Sequence, residues 1–569
     1  MKKTETIQID FEGRLIDARR GESLAAALTH AGIQSFRKTR TNAERGIFCG
    51  MGVCQDCLVE IDGSPNQRSC MIKIEKPISV RMERPYKQPG RLKKTYSPAT
   101  LDDIKIETPQ VLVMGAGPGG LSAAIAARTA GAEVVVIDER PIAGGQFFKQ
   151  ISVVGAEVAG GDAQHDEGML LIKKAIDLGV QIELESILWG GFEGNEFIVA
   201  GPKGSICYRP QRIIVATGAY ERGHIVPGWT LPGVMTTGAA QTLWRSSRRL
   251  PGQRVIIAGN GPLNLQLAAE LVEGGAEVVA LAEAARPHRL AAIADAAKML
   301  RFSPKLTLNG LGYLWRVKKS GVPILNGTVL RNIKSYGKSL RVEFGPADTS
   351  RTGGVKEFEA DVVCLGYGFE PSNEILRTMA CTHDYDPVRQ ELATRVDENG
   401  LTSVDTIYAL GDCTGLGGAR AALSAGEIAG FSAAKSVGHQ LDSVMEESMQ
   451  LARQNLVRHR KFQRSLWRVF SYPRINLDLA DRETIFCRCE EVTAGEVLDV
   501  IDDGCLSIAD IKRRTRLGMG PCQGRYCSPV LQHVIANKSG KPIENHSGFA
   551  PRVPLKPIAI TDLLKNNSK

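Results

Sequence analysis

The sequence predicts an α/β chain with two nucleotide-binding βαβ units at its centre and a small cysteine-containing domain at each end. Two Gly-rich strand–turn–helix patterns, VLVMGAGPGGLSAAIAA and VIIAGNGPLNLQLAAEL, indicate the central units. Most of the 13 cysteines fall into two clusters, one near each end of the chain. A length of 569 residues, with 43% hydrophobic and 23% charged residues, is enough for several globular cores.

The first domain, residues 1–84, is predicted to be a β-grasp ferredoxin domain. It begins with two strands, TIQIDFEG and RLIDARRG, followed by the helical segment ESLAAALTHAGI and a Gly-punctuated cysteine loop. The C-x4-C-x2-C spacing in this loop is that of plant-type 2Fe-2S ligands. The loop resembles the small ferredoxin domains attached to molybdenum hydroxylases and to hydrogen cyanide synthase, because its fourth cysteine follows sooner than in plant ferredoxins. The expected cluster ligands, with a zinc loop as the alternative, are Cys49, Cys54, Cys57 and Cys70.

Residues 85–108 are interpreted as an interdomain linker. The segment PYKQPGRLKKTYSPATLDDIKIET is rich in Pro, Lys and polar residues. We therefore expect the ferredoxin domain to be separable from the rest of the chain.

The first Gly-rich unit fits the fingerprint of a dinucleotide-binding site. Gly115 makes the tight turn, Gly117 lets a pyrophosphate approach the backbone, and Gly120 lets the helix pack close to the sheet. The helix N-terminus then faces the phosphates with its partial positive charge. Asp138 ends the second strand, where it can bind a ribose hydroxyl, and neighbouring Glu139 shares or takes over this contact. The sequence does not separate these two carboxylates.

Two later segments decide which dinucleotide we expect. RIIVATGAY, residues 212–220, and TIYALGDCTGLGGARAALSAGEIAG, residues 406–430, resemble the ATG and GD signatures of two-dinucleotide-domain flavoproteins such as the pyridine nucleotide-disulfide reductases. The resemblance implies an FAD-binding domain in two segments, 109–225 and 360–470. It assigns Asp412 to the flavin ribityl chain, with a turn cap as the alternative role. It also implies that the flavin pocket is lined by Gly144, Gly145, Gln146, Gly218 and the Gly417–Gly418 turn.

Residues 226–359 are predicted to form an inserted second Rossmann-like, NAD-like domain. Gly259 and Gly261 occupy fingerprint positions, but Asn264 takes the third Gly position and Glu283 lies one residue later than the counterpart of Asp138. An Asn side chain crowds the close helix–strand contact. The alternatives are an NAD(P) site, a site for another adenine nucleotide, and a domain retained only as scaffold. Disulfide reductase chemistry is not expected, because the CxxC between Cys54 and Cys57 belongs to the ferredoxin loop.

The last domain, residues 480–540, is predicted to be small and helical. FCRCEE and GPCQGRYC place two cysteine pairs at either end of what reads as two short helices. The pattern resembles the bacterioferritin-associated-ferredoxin-like domain, which binds a 2Fe-2S cluster. By that resemblance, and with zinc as the alternative, the ligands are Cys487, Cys489, Cys522 and Cys527. Residues 541–569 are expected to be a C-terminal tail.

Composition indicates where the protein works. No signal-peptide core and no window of 18 apolar residues is present, which predicts a cytoplasmic protein. The net charge is +9, and the basic segment 453–468 reads as an amphipathic helix. Such a helix is either a solvated face or a peripheral contact with the inner membrane surface or an acidic partner. We expect no nucleic-acid partner.

The order of these domains resembles the two smaller subunits of hydrogen cyanide synthase and of opine oxidases joined in one chain. It is also similar to the alpha subunits of dye-linked L-proline dehydrogenase and heterotetrameric sarcosine oxidase. The resemblance implies oxidation of a C–N bond in a small amino or imino acid (proline, hydroxyproline, sarcosine or an opine), with an amino-acid-oxidase-like flavoprotein partner. Electrons would leave through FAD and the clusters to a quinone or another carrier that the sequence does not identify. The alternatives are an NAD(P)H-dependent reductase and a non-catalytic electron-transfer subunit, and no motif identifies a catalytic residue.

Overall fold

A computed structural model of the chain describes residues 5–83, 104–153, 161–348, 354–472, 474–544 and 547–559. Most of the expected linker, residues 85–103, and the last part of the expected tail, residues 560–569, lie outside the described residues. Of the helices formed by the described residues, none combines the length and apolar character needed to traverse a lipid bilayer.

The N-terminal domain is a twisted five-stranded sheet with one helix packed on it. The sheet order is β2-β1-β7-β5-β6, in which β1 pairs antiparallel with β2 and parallel with β7. The Ser23 hydroxyl caps the helix by accepting a hydrogen bond from the Ala26 N–H at 3.2 Å. Leu24 and Leu28 on this helix are fully buried, which contributes roughly 1.5–3 kcal/mol each. The elements are β1 (Thr6–Phe11), β2 (Arg14–Arg19), α1 (Leu24–His30), β3 (Arg37–Lys38), β4 (Glu44–Arg45), β5 (Leu58–Ile61), β6 (Ser64–Arg68) and β7 (Ser79–Met82).

The first nucleotide-binding unit is built on a parallel sheet of order β11-β10-β9-β15-β28, in which β28 (Ile407–Ala409) comes from much later in the chain. Its central strands are buried along their whole length, as expected for a sheet covered on both faces. A smaller sheet of order β12-β13-β14-β8 lies beside it, so the end of the expected linker is a strand. The elements are β8 (Lys105–Glu107), β9 (Val111–Met114), α2 (Pro118–Thr129), β10 (Val134–Ile137), α3 (Ala163–Asp177), β11 (Gln181–Glu183), β12 (Ile187–Phe192), β13 (Glu196–Gly201), β14 (Gly204–Tyr208), β15 (Arg212–Val215) and β16 (Ala219–Glu221).

The second unit is a parallel sheet of order β17-β24-β18-β19-β20 with an added antiparallel sheet of β21, β22 and β23. Strand β24 lies beyond the expected boundary at residue 359, because its backbone completes this sheet between β17 and β18. The elements are β17 (Val234–Thr236), α4 (Thr237–Ser247), β18 (Arg254–Gly259), α5 (Pro262–Glu273), β19 (Glu277–Glu283), α6 (Leu290–Phe302), α7 (Pro304–Lys319), β20 (Ile324–Asn326), β21 (Thr328–Tyr336), β22 (Ser339–Pro346), β23 (Lys356–Ala360) and β24 (Val362–Gly366).

The chain then returns to the first unit and completes its sheet with β28. Helix α9 packs on α2, and α10 packs on α9 and α6. Helix α10 contains the basic segment 453–468; Phe462 and Ser465 are buried on its packed face, while its other face is exposed. The elements are β25 (Phe369–Pro371), α8 (Glu374–Thr378), β26 (His383–Asp386), β27 (Glu391–Thr394), β28 (Ile407–Ala409), α9 (Ala419–Ser436) and α10 (Ser443–Val469).

The C-terminal domain has three helices in its described residues, where the sequence suggested two. They follow a short hairpin, and the elements are β29 (Ile485–Cys487), β30 (Val492–Thr493), α11 (Ala494–Asp502), α12 (Ile508–Thr515) and α13 (Ser528–Ser539). The described part of the tail packs back on the first unit, where the Leu555 N–H donates to the Trp189 carbonyl at 2.7 Å.

The N-terminal domain packs closely on the second unit. The buried pair Arg249–Glu22, at 2.7 Å, joins the two, and the domain's apolar core continues into Ala239 and Leu243 of α4. A Cβ added at Gly50 in the cysteine loop would lie 2.8 Å from the Ala239 Cα. The structure therefore presents this domain as an integral part of the molecule, in contrast to the separable domain that the linker composition suggested.

Candidate functional site

A cavity of about 1110 Å³ opens at the carboxyl ends of the strands of the first sheet. This is the place where open α/β sheets bind ligands. The volume is slightly above the ~300–1,000 Å³ of ordinary ligand pockets, so it can hold an extended dinucleotide. The first Gly-rich turn, the ends of β10 and β15 and the turn before α9 all line it.

The three glycines of the first fingerprint have different reasons to be glycine. A Cβ at Gly115 would lie 2.5 Å from the Ala216 carbonyl oxygen, and one at Gly120 would lie 1.8 Å from the Gly115 carbonyl oxygen. Contacts with the neighbouring backbone therefore require glycine at these two positions, whether or not a ligand is bound. A Cβ at Gly117, at the N-cap of α2, would meet within 4 Å only the Gly145 Cα, at 3.8 Å, in the described part of the chain. Gly117 therefore keeps open the space that a phosphate needs at the helix N-terminus.

Both candidate ribose carboxylates line the cavity, but they have different partners. Asp138 accepts hydrogen bonds from the N–H groups of Ala116 (2.7 Å) and Arg140 (2.8 Å). Glu139 pairs with Lys556 of the tail at 2.7 Å and with Arg68 of the N-terminal domain at 3.7 Å. Burial opposes ionisation of Glu139, but Lys556 and Arg68 hold the pKa of its carboxyl below the ordinary value.

Gly145, Gln146, Gly218 and the Gly417–Gly418 turn line the same cavity, whereas Gly144, also expected there, does not line it and instead packs against the Phe148 carbonyl. Gly145 lies against Gly117, and the buried Nε2 of the neighbouring Gln146 has no hydrogen-bond partner among the described residues. Gly218 has a left-handed backbone, φ +69°, and a Cβ there would meet open space. An unsatisfied buried amide beside an open, Gly-lined cradle fits a bound FAD.

The turn before α9 is organised by Asp412. Its Oδ1 accepts hydrogen bonds from the N–H groups of Gly417 (2.9 Å) and Gly418 (2.8 Å), and Gly418 is the N-cap of α9. Asp412 therefore acts as a turn cap and lines the cavity at the same time. The two roles that the sequence left as alternatives are compatible in the structure.

The cavity also contains charged residues that sequence analysis missed. Lys149 is buried, and its Nζ donates to the Gln241 Oε1 at 2.7 Å. Glu221 accepts a hydrogen bond from the Gly238 N–H at 2.8 Å, while its Oε1 has no partner among the described residues. Burial lowers the pKa of Lys149 to about 7 and raises the pKa of Glu221 to about 7. These two residues are distinguished from most other Lys and Glu residues by their burial, and no local pattern in the sequence predicts that burial.

The N-terminal cysteine loop reaches the same cavity, which Cys49, Met51 and Val53 help to line. All four expected ligand thiols of this loop are buried or half-buried and none is in a disulfide. They associate in two pairs: the Cys49 thiol interacts with Cys54, whose N–H donates to the Cys49 Sγ at 3.4 Å, and the Cys57 thiol interacts with that of Cys70.

The C-terminal thiols also lie together. The Cys487 thiol interacts with those of Cys489 and Cys527, and the Cys489 thiol with that of Cys522. A Cβ at Gly520 would lie 2.2 Å from the Cys489 Cβ, which explains the glycine in GMGP.

In the part of the chain that the structure describes, no three His, Cys, Asp or Glu side chains are placed to hold one metal ion together. The pairing of thiols fits a two-iron cluster, in which four thiolates are shared between two irons.

Two asparagines of the second Gly-rich turn bond to neighbouring segments of the protein, while a Cβ at Gly261 would meet open space. The buried Asn264 side chain accepts from the Thr237 hydroxyl at 2.7 Å and donates to the Gly366 carbonyl at 2.9 Å. Asn260, between Gly259 and Gly261, donates to the carbonyl of Phe470 just after α10, at 2.9 Å.

Glu283 accepts from the Gly261 N–H at 3.0 Å, and burial raises its pKa to about 7. The end of α10 therefore lies against the turn where a pyrophosphate would approach.

Comparison with known proteins agrees with this architecture. Residues 109–436 match the pyridine nucleotide-disulphide oxidoreductase family model, residues 4–85 a 2Fe-2S iron-sulfur cluster binding domain, and residues 485–537 a BFD-like [2Fe-2S] binding domain. An opine oxidase subunit of Rhizobium meliloti (strain 1021) is 30% identical over 79% of this chain and 97% of its own. Hydrogen cyanide synthase subunit HcnB of Pseudomonas aeruginosa is 27% identical over 79% of this chain and 96% of its own.

Among solved structures, L-proline dehydrogenase from P. horikoshii has a TM-score of 0.71 at 20% identity, covering 99% of this chain and 98% of its own. These comparisons confirm the predicted fold class and the expected cofactors, FAD and two 2Fe-2S clusters. They confirm an oxidoreductase and the resemblance to opine oxidase and hydrogen cyanide synthase subunits.

Proposed function

This chain belongs to the pyridine nucleotide-disulphide oxidoreductase family, and we propose that it is the alpha-like subunit of an FAD and iron–sulfur dehydrogenase. The observation that carries the proposal is the placement of Cys49, Met51 and Val53 on the wall of the cavity that the Gly117 turn also lines. A cluster ligand and a dinucleotide turn therefore share one buried space.

When bound, FAD supplies two-electron hydride chemistry and the 2Fe-2S clusters supply one-electron steps. The chain's residues bind and orient these groups. The α2 N-terminus and Gly117 would hold the pyrophosphate, and Asp412 with Gly418 would hold the flavin side of the cofactor. Asp138, at the end of β10, would contact the ribose, and Glu139 beside it pairs with Lys556 and Arg68.

Lys149 and Glu221 take part in proton handling at the cavity wall. Glu221 binds or releases a proton at its unpaired Oε1 near neutral pH, and Lys149 does so at its Nζ. Groups whose pKa lies near the working pH are suited to accepting protons that a substrate loses on oxidation. Both are positions where a conservative change, Glu221→Gln or Lys149→Met, alters the pH profile.

The second Rossmann-like unit serves as scaffold in this proposal. Two features support this role: the Asn264 side chain replaces the third fingerprint glycine at the helix–strand contact, and Asn260 bonds to Phe470 at the end of α10. This argues against the NAD(P)H-dependent reductase that the sequence left as an alternative.

The names of the relatives support a proposal for the substrate class. Their names describe an opine oxidase, a hydrogen cyanide synthase and an L-proline dehydrogenase, of which the first two are subunits of larger proteins. We propose a small amino or imino acid whose C–N bond is oxidised, with an amino-acid-oxidase-like flavoprotein as the partner chain and a quinone or similar carrier as acceptor.

An anaerobic titration tests this function. The purified chain, alone and with any flavoprotein that co-purifies with it, receives proline, hydroxyproline, sarcosine or an opine while flavin absorbance is recorded. Bleaching by one of these compounds, and none by NADH or NADPH, is the expected result. Rapid bleaching by a nicotinamide nucleotide and none by any amino acid would establish the reductase instead.

A further inference from the structure

The two cysteine clusters lie far apart in sequence, but the structure joins their loops through Arg488. This residue stands between Cys487 and Cys489, and only 4% of it is exposed. Its Nε donates to the Asp56 Oδ2 at 2.6 Å, and Asp56 directly precedes Cys57. The Arg488 side chain of the C-terminal cysteine loop therefore bonds to the Asp56 side chain of the N-terminal cysteine loop.

Aromatic contacts hold the same arginine in place. Its guanidinium lies 3.8 Å from the ring centre of Phe48, which directly precedes Cys49, and 4.7 Å from that of Trp229. The Arg488 Nη1 also donates to the Trp229 carbonyl at 2.7 Å. A guanidinium can lie over aromatic rings and donate directed hydrogen bonds at the same time, which a lysine ammonium does less well.

A second ring of contacts surrounds this pair. Arg37 donates to the Asp56 carboxylate at 2.8 Å and to the Asp56 carbonyl at 3.1 Å. Tyr526, which directly precedes Cys527, packs edge-on against Phe48 with ring centres 5.4 Å apart. Residues next to ligands of both clusters therefore meet in one buried contact.

Adhesion between the domains does not require this arrangement. Asp56 is fully buried, and removing two charges from water is costly enough that apolar residues often serve equally well. Each cluster with four thiolates is an anion whose potential depends on the charges and hydrogen bonds around it. A charged pair placed between two anions acts on both of them.

We propose that Arg488 and Asp56 are positioning residues shared by the two clusters. Their charges act on the reduction potentials of both clusters, so a change at either residue shifts both potentials. This inference rests on the proposed function, because it requires both clusters to be present. The positive Arg488 favours the reduced, more negative form of each cluster, and the negative Asp56 disfavours it.

The test is potentiometric titration followed by electron paramagnetic resonance of the full chain, in wild type and three variants. We expect Arg488→Gln to shift the midpoint potentials of both clusters to more negative values, and Asp56→Asn to shift both to more positive values. Arg513→Gln is the matched control, because Arg513 is 68% exposed and pairs locally with Asp510; neither potential should move.

A shift confined to the C-terminal cluster in Arg488→Gln would overturn the proposal. If that variant does not fold, Arg488→Lys replaces it: hydrogen–deuterium exchange should rise in both cluster loops together, and a rise in residues 485–491 alone would contradict a role shared by the two clusters. Wild-type protein that shows no 2Fe-2S signal at all would refute the proposed function, an outcome distinct from independent clusters.

Discussion

Replacing Gly117 by alanine separates cofactor binding from folding. In the described part of the chain the new Cβ would meet within 4 Å only the Gly145 Cα, at 3.8 Å, and the Gly117 backbone, φ −81° and ψ −176°, is open to alanine. Alanine restricts the unfolded chain, which stabilises the folded state by about 0.4–1 kcal/mol. Alanine is also a poorer N-cap than glycine, which destabilises the folded state. These effects oppose each other, so the free energy of unfolding of cofactor-free protein should change by less than about 1 kcal/mol.

FAD binding should respond quite differently. A ligand at one hundred times its dissociation constant stabilises the folded state by about 2.7 kcal/mol. The methyl group occupies the place where the pyrophosphate approaches the α2 N-terminus, so we expect Gly117→Ala to lose most of this stabilisation.

The assay is thermal unfolding of cofactor-free protein with and without added FAD, together with the flavin content of the purified protein. Gly120→Ala is the contrasting variant: its Cβ would lie 1.8 Å from the Gly115 carbonyl oxygen, so it should damage the fold even without FAD. If Gly117→Ala binds FAD as wild type does, with the same thermal shift, the assignment of the pyrophosphate to this turn is wrong.

Three further predictions concern other parts of the molecule. Cys57→Ser and Cys522→Ser should each remove one of two paramagnetic cluster signals and leave FAD bound. Cys364 lies in the buried core and is not among the expected ligands, so Cys364→Ser should leave both signals. If neither ligand variant changes a signal, the ligand assignment is wrong. The pKa of Glu283 is about 7 in the folded protein against an ordinary 4.5, so its contribution to stability is present below pH 4.5 and is lost as the pH rises to 7. That loss is about 3 kcal/mol, and unfolding measured across this range should show it in wild type but not in Glu283→Gln. Calorimetric titration with NADH should detect no binding at the second Gly-rich turn, where Asn260 already bonds to Phe470; clear binding there would refute the scaffold role.

The cofactors were predictable because their signals are local in the chain. The spacing of the first three N-terminal cysteines and the turn glycines Gly115 and Gly120 are set by geometry within a few residues. The glycine positions are explained by contacts with neighbouring backbone, which any chain folding into this unit must make. Helix α10 was also foreseeable from its amphipathic pattern, although its packing partners were not.

Other features depended on contacts between distant segments. Burial of Lys149 and Glu221 arises where several elements meet, and nothing in FFKQ or AYER marks either residue as buried. The linker composition suggested an independent ferredoxin domain. Composition gives no information about the close packing of Gly50 against Ala239, which joins this domain to the second unit.

The sequence alone determined the fold class and the cofactors, since fingerprint turns and ligand spacings are short-range and need no knowledge of packing. Only the tertiary structure decided that the N-terminal cysteine loop borders the dinucleotide cavity and that Arg488 reaches Asp56, a residue 432 positions away in the chain. The physical reason is that a buried ion pair forms only when two distant segments pack together, and the residue pattern of either segment does not predict which segment it will contact.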